Sequence, residues 1–282
     1  MVTSIQPTIA FLCNGLPQQT CALTDRGLHY GDGVFETIAV FDSQPQYWQY
    51  HLDRLNLGCE RLAIPVPSSQ QLLDEALSLC QTQARAILKI IITRGSGGRG
   101  YAVPNSAIPT RIVALYDWPS QPSHYYQQGI QARICSLRLG HQPFLAGIKH
   151  LNRLEQVLAR NEWQDETIQE GLLLDQAGSV IAGTKSNLFM VKHGQLITPD
   201  LHLCGIAGVM RRIILEMKLA TYKTCKTAVF DTTSLFSAEE IFVSNSIMGI
   251  WPVTKINEQS FLVGPLTRAI MAQLRVDRYA SI

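Results

Sequence analysis

The sequence predicts an α+β fold in two lobes, and three observations carry that reading. Strand-like and helix-like segments mix along the chain without the regular alternation that a doubly wound parallel sheet requires. The stretch WPSQPS, residues 118–123, holds two prolines and two serines and reads as a linker. Beyond it, EGLLLDQAG, SVIAG and NLFMVKHGQLIT follow one another as a meander of strands. The expected division is therefore an N-terminal domain of residues 1–118, a linker at 119–123 and a C-terminal domain of residues 124–282.

In chain order, IAFLCNG and VFETIAVF read as strands. HLDRLNLGCERLAI places Leu52, Leu55, Cys59 and Leu62 on one helical face. SSQQLLDEALSLCQTQ reads as a second helix, started by Ser68 or Ser69 as its N-cap. ILKIIITR and RIVALY follow as strands, and IQARICSL alternates apolar with polar positions. FLAGIKHLNRLEQVLAR, residues 144–160, reads as an apolar entry to an amphipathic helix that starts about Lys149 and is expected to bury Leu151, Leu154 and Leu158. His193 and Gly194 mark a tight turn. GIAGVMRRIILEMKLA reads as a helix with a glycine-rich start, EEIFVSNS as a strand, and GPLTRAIMAQLR as a closing helix with Pro265 in its first turn.

Composition narrows the class. A chain of 282 residues with 46% apolar and 16% charged residues can bury a large core. No apolar run approaches the roughly 18 to 20 residues of a membrane span, and MVTSIQPTIAFLCNG lacks the pattern of a secretory signal, so a cytoplasmic, soluble protein is expected. The net charge of +2 is spread without a basic block, which argues against a nucleic-acid partner. Seven cysteines without a C-x-x-C pair, and seven histidines without H-x-x-x-H spacing, read as reduced thiols and no metal centre.

Several motifs bear on chemistry. Gly95, Gly97 and Gly100 in RGSGGRGY match the letter of a dinucleotide fingerprint, but YAVPNSAIP follows where a helix would have to begin. The loop reads either as a flexible connection or as backbone that lets a ligand approach closely, with Arg94 and Arg99 as forks for carboxylates. Taken alone, HYGDGVFET also reads as an ordinary turn, and Arg54 in HLDRL as a solvated charge.

Lys149 is the sharper case. Phe144, Leu145, Ala146 and Ile148 surround it with apolar residues at the expected start of a helix. Desolvation and the positive end of a helix dipole would both favour the neutral amine, a nucleophile toward aldehydes. A lysine in such a place also commonly extends its ammonium into water.

The ordered set HYGDGVFET, HLDRL, TRGSGGRGY, LAGIKHLNRLEQVLAR, SNLFMV, GIAGVMR and SNSIMGIWPV resembles the fold-type IV, or class IV aminotransferase-like, pyridoxal-phosphate enzymes. The likeness spans about residues 8 to 278, and RGSGGRGY with AGIKHLNRLEQVL points within the family to its aminodeoxychorismate lyase branch. It implies a smaller N-terminal α/β domain, a larger C-terminal pseudo-barrel domain that binds pyridoxal 5'-phosphate, and a homodimer. The implied substrate is aminodeoxychorismate, converted to 4-aminobenzoate and pyruvate in folate synthesis.

The resemblance also implies roles for particular residues. Lys149 matches the lysine that joins the cofactor, and Arg54 the arginine that grips its phosphate. Ile206 and Ala207 match backbone donors to the same phosphate, and Ser244, Asn245 and Ser246 lie on a loop like the family's second phosphate-side contact. Thr37 matches a threonine that assists proton transfer in the lyases. Arg94, Arg99, Tyr101 and Tyr30 are candidates for the substrate. One departure stands out: where the family usually sets a glutamate against the pyridine nitrogen, VIAGTKSNLF has Ala182. That loss would weaken the cofactor as an electron sink, and a reaction whose product becomes aromatic tolerates it better than a transamination. A D-amino-acid or R-selective amine transaminase, and a non-catalytic cofactor-binding protein, are the competing readings.

Overall fold

The computed structural model describes residues 8–18, 20–218 and 225–280. The chain divides into two compact units, Met1–Pro119 with Ile148–Asn152, and Ser120–Gly147 with Arg153–Ile282. The short segment carrying Lys149 thus belongs with the first unit, although the sequence places it well inside the second domain.

In the first unit the elements are β1 (Thr8–Cys13), α1 (Arg26–Tyr30), β2 (Gly33–Phe41), β3 (Gln44–Pro45), α2 (Trp48–Arg61), α3 (Ser69–Cys80), β4 (Arg85–Thr93) and β5 (Thr110–Asp117). The strands form one sheet in the order β1-β5-β4-β2-β3, with every pairing antiparallel. The core lies between sheet and helices: Ile38, Leu88, Ile90 and Leu115 meet Leu52, Leu55, Cys59, Leu72 and Ala76. The 3.6-residue spacing in α2 therefore reports a real buried stripe. Ser68 caps α3, accepting from Gln71 N–H. The segment HYGDGVFET is divided by the structure: α1 ends at Tyr30, Gly31 caps it at φ 64°, and the strand starts at Gly33.

In the second unit the elements are α4 (Ser123–Gln127), β6 (Ile130–Leu139), α5 (Leu154–Arg160), β7 (Glu170–Asp175), β8 (Val180–Gly183), β9 (Asn187–Lys192), β10 (Gln195–Pro199), α6 (Val209–Glu216), β11 (Lys226–Ala228), α7 (Thr232–Phe236), β12 (Glu240–Asn245), β13 (Gly249–Ile256), β14 (Gln259–Ser260) and α8 (Pro265–Gln273). Eight strands follow the path β11-β10-β9-β12-β13-β6-β7-β8, and β14 pairs with β13. Near the far end of that path β8 lies against β9 and β10 as well, so the sheet curls back on itself. Parallel pairs at β10/β11, β13/β6 and β6/β7 make it a mixed sheet. His193 and Gly194, both at positive φ, turn β9 into β10. The helix expected through Ala220 ends at Glu216, with Met217 extended as its C-cap; Leu219 and Ala220 themselves lie outside the described residues.

Two expectations for residues 144–160 are corrected. Only Leu154–Arg160 is helical, and Lys149 lies five residues before it on extended chain: Phe35 N–H donates to Lys149 O, and Leu151 N–H to Gly33 O, both at 2.9 Å. The edge of β2 outcompetes helix formation here because it satisfies these backbone groups. The second correction concerns burial: Leu154 is 75% and Leu158 59% exposed in the single chain, joined by Val157 and Phe144.

Candidate active site

In the first unit the candidate residues gather around β2. Phe35 and Thr37 project from one face of the strand, and Glu36 from the other. The backbone bond to Phe35 fixes Lys149 alongside, and its Nζ stands 4.3 Å from the Phe35 ring centroid. Lys89, directly opposite Thr37 in the β2/β4 register, places its own Nζ 5.5 Å from the same ring. Burial pushes the Lys89 ammonium below its usual pKa. Two amines thus flank one aromatic ring, with a hydroxyl on the same strand face. Lys149 gains its partly sheltered place from this extended pairing, and the helix-dipole argument for its neutral form does not apply.

On the other face of β2, Glu36 is buried against α2. Arg54 Nε donates to Oε1 at 2.7 Å and Nη2 to Oε2 at 2.5 Å, while His51 Nδ1 lies 2.6 Å from Oε2. Burial alone would raise the Glu36 pKa, but the Arg54 charge and the bonds from Arg54 and His51 overcome it and hold the carboxyl at about 2. For His51, burial prevails over the Glu36 bond and keeps the ring below its usual pKa, with Arg54 and Lys149 adding positive charge against protonation. A neutral ring donating from Nδ1 leaves Nε2 buried without a hydrogen-bond partner. Arg54 is therefore a positioned guanidinium and not the solvated charge that its helix position also permits.

Arg94 is corrected from a substrate fork to a structural clamp. Its Nε and Nη2 donate to Asp32 at 2.7 and 3.0 Å, and Nη1 and Nη2 close on Ala63 O and Leu62 O beyond the end of α2. Arg26 takes Asp32 from another side at 2.9 Å and also donates to Gly100 O and Tyr101 O, tying down the glycine-rich loop. Arg99 and Tyr101 remain exposed on that loop. Half-buried Tyr30 meets Tyr101 edge to face at 5.4 Å, with the Arg26 guanidinium 4.8 Å from the Tyr30 centroid.

In the second unit, Ile206 and Ala207 lie on the turn before α6, whose N-cap is Gly208. Ala207 N–H donates to Gly147 O at 3.0 Å, and Gly147 N–H to Gly205 O at 2.9 Å, so the Ala207 donor is already engaged in this structure. Asn187 holds the same turn, with Nδ2 donating to Ile206 O at 2.8 Å and Oδ1 accepting from Gly208 N–H at 3.0 Å. The Asn245 carboxamide shapes its own loop, donating to Lys185 O and accepting from Ile247 and Met248 N–H. Half-buried Ser246 sits on that loop, and Ser244 just before it is fully buried.

Ala182 packs in an apolar cluster with Leu173, Ile181, Leu201 and Cys204, against which Ala207 also rests. Glu170 does not fill the place of the missing acid. Leu173 pairs with Ala182 and Leu172 with Gly183, so Glu170 belongs to the opposite face, where its carboxylate accepts from Thr184 Oγ1, Ser186 Oγ and Thr184 N–H.

Sequence reasoning missed Lys89, Glu36, His51 and Asn187. Lys89 carried a signal as the one charge within the run AILKIIIT. The pairing of Glu36 with Arg54 and His51 joins a strand to a helix, and no local period shows it.

A family model described as amino-transferase class IV matches residues 33–256. The aminodeoxychorismate lyase of Vibrio harveyi is 39% identical over 268 residues, covering 94% of this chain and 99% of that protein. The crystal structure of 4-amino-4-deoxychorismate lyase from Pseudomonas aeruginosa aligns with a TM-score of 0.91 at 45% identity, covering 95% of this chain and 99% of that one. The branched-chain amino acid aminotransferase structure of Escherichia coli aligns with a TM-score of 0.85 at 25% identity, covering 98% and 97%.

Proposed function

The chain belongs to the amino-transferase class IV family, and on that premise we propose that it is a pyridoxal-phosphate-dependent aminodeoxychorismate lyase, releasing 4-aminobenzoate and pyruvate. The observation that carries the lyase reading is Thr37 on the same strand face as Phe35, whose ring Lys149 flanks, in a chain 39% identical to a lyase over nearly its whole length. A hydroxyl and an amine available to one substrate suit an elimination that needs a proton removed at one atom and delivered at another.

The residues present fit the cofactor. Lys149 offers the amine, and Arg54, set by Glu36, offers a guanidinium to the phosphate. At the turn before α6, Ala207 N–H and Gly208 N–H are engaged by Gly147 O and Asn187 Oδ1, so Ile206 N–H is the donor that the turn offers, and Ser244 Oγ is buried without a hydrogen-bond partner. Pyridoxal phosphate, when bound, supplies the electron sink for the carbon next to an amine. The Lys149 amine takes the proton from the amine-bearing ring carbon of the substrate. The electron pair of that C–H bond enters the ring, the C–O bond to the enolpyruvyl group breaks, and the ring becomes aromatic. Thr37 assists proton delivery to the methylene carbon of the departing group, which leaves as pyruvate. Lys89, Arg99, Tyr101 and Tyr30 are the groups proposed to hold the substrate, its two carboxylates on the cations; Arg94 is withdrawn from that set because Asp32 and two carbonyls occupy it.

The enzyme is further proposed to be a homodimer acting in folate synthesis in the cytoplasm. The exposed apolar stripe of Phe144, Leu154, Val157 and Leu158 is the kind of surface a second copy covers. Free thiols at all seven cysteines suit a reducing compartment. The test is to mix the protein, pyridoxal phosphate and aminodeoxychorismate, expecting fluorescent 4-aminobenzoate and pyruvate in equal amounts. Amino-group exchange with D-alanine and a keto acid, without those products, would instead make it a transaminase.

A further inference from the structure

The guanidinium of Arg26, in the first turn of α1, closes on three successive carbonyls of the glycine-rich loop. Nη1 donates to Gly100 O at 3.0 Å and to Ala102 O at 3.4 Å, and Nη2 to Tyr101 O at 3.2 Å. Nε donates to Asp32 at 2.9 Å, so every nitrogen of the group is engaged. The backbone joins the same two segments: Arg26 N–H donates to Gly95 O, and Gly97 N–H to Thr24 O. The Arg26 side chain is 5% exposed, whereas Arg99 and Tyr101, on the loop that it grips, stand in solvent.

The loop is shaped around this side chain. A Cβ at position 97 would stand 2.9 Å from Arg26 Cδ, and the stem cannot give way without drawing the guanidinium off its carbonyls. Gly97 therefore clears the path of the arginine. The same guanidinium lies 4.8 Å from the Tyr30 centroid, and Tyr30 meets Tyr101 edge to face, so one group orders both aromatic side chains. Asp32 does not depend on Arg26 for its counter-charge, since Arg94 binds that carboxylate at two points.

We propose that Arg26 is a positioning residue that braces residues 97–102, so that Arg99 and Tyr101 receive the substrate on a loop already in its binding shape. This rests on the substrate assignment made above. A loop that visits its binding shape for only part of the time binds more weakly by that fraction, and a brace removes the loss. The bonds of the Arg26 side chain go to Asp32 and the loop, and not to Lys149, Thr37 or the groups assigned to the phosphate. Its effect is therefore on substrate capture.

The experiment compares wild type with Arg26→Ala by steady-state rates on aminodeoxychorismate, by titration with pyridoxal phosphate, and by the rate at which trypsin cuts after Arg99. Arg26→Ala leaves Asp32 paired with Arg94 and the exposed loop carbonyls open to water, so the protein should fold. KM should rise about tenfold with kcat within about twofold, the pattern of lost uniform binding, and cofactor affinity should stay within about twofold. Cleavage after Arg99 should be about tenfold faster, because the loop opens more readily. Gly97→Ala should raise KM about fivefold alone and leave it unchanged in the Arg26→Ala background, where the Cδ that it would meet is gone. An unchanged KM, cleavage no faster than in wild type, equal losses in kcat, KM and cofactor affinity, or a Gly97→Ala effect that is the same in both backgrounds would each overturn the proposal and leave the lyase assignment intact. A wild type without lyase turnover would overturn that assignment and the substrate role of the brace with it.

Discussion

Glu36 and Arg54 form a two-point ion pair across the junction of β2 and α2, with Glu36 1% and Arg54 10% exposed at their side chains. The geometry matters because a planar fork held at two points has little freedom left to rotate. Arg54 is thereby aimed before any ligand arrives.

Glu36→Gln should cost about 3–5 kcal/mol of stability, since it leaves a guanidinium largely buried without its counter-charge. The sign with pH follows from the carboxyl, held at about 2 against an ordinary 4.5. A depressed acid contributes its full stabilisation above the ordinary value and loses it as pH falls toward the folded one. The gap between wild type and variant in urea midpoint should therefore be constant above pH 4.5 and shrink from there toward about pH 2. A gap that does not change with pH would remove the ion pair from the account.

Thr37→Gly should slow the elimination by about a hundredfold or more, in the range expected for losing one acid–base group. Thr37 lies opposite Lys89 and on the strand face of Phe35, and is not among the groups assigned to the phosphate, so the absorbance of bound cofactor should persist. Steady-state rates and a cofactor titration on one preparation check both halves. Unchanged turnover would show that Thr37 takes no part in proton transfer.

Leu154→Glu combined with Leu158→Glu should abolish self-association, because each places a charge in a stripe that is apolar and exposed in the single chain. Sedimentation should give twice the 31.4 kDa chain mass for the wild type and the single mass for the variant. Since Leu154 and Leu158 contribute little to the core of their own chain, thermal unfolding of the variant should remain cooperative. A wild type that sediments as a monomer would contradict the dimer.

Much of the fold was legible because its signals are local. The stripe of Leu52, Leu55 and Cys59, the Ser68 cap, and the His193–Gly194 turn each follow from spacing or backbone freedom within a few residues. The stretch around Lys149 was misread for the same reason. Its leucines fall at helical intervals, yet β2 supplies backbone partners for residues 149 and 151, and the leucines at 154 and 158 face away from the core. An exposed apolar stripe has the same period as one that packs internally, so sequence alone does not tell them apart. Motifs drew attention to Arg54 and Thr37, which lie on α2 and β2. The site was not legible where the contact joins distant segments, as in Asn187 with the 206–208 turn, or where backbone carbonyls occupy a side chain, as with Arg94.

The central claim is that Lys149, and not the neighbouring Lys89, is the amine that joins the cofactor. Borohydride trapping of the protein loaded with pyridoxal phosphate, followed by peptide mass mapping, tests it directly. The account predicts a pyridoxyl adduct on Lys149 alone, absent in Lys149→Ala. An adduct on Lys89, or full lyase turnover by Lys149→Ala, would contradict it.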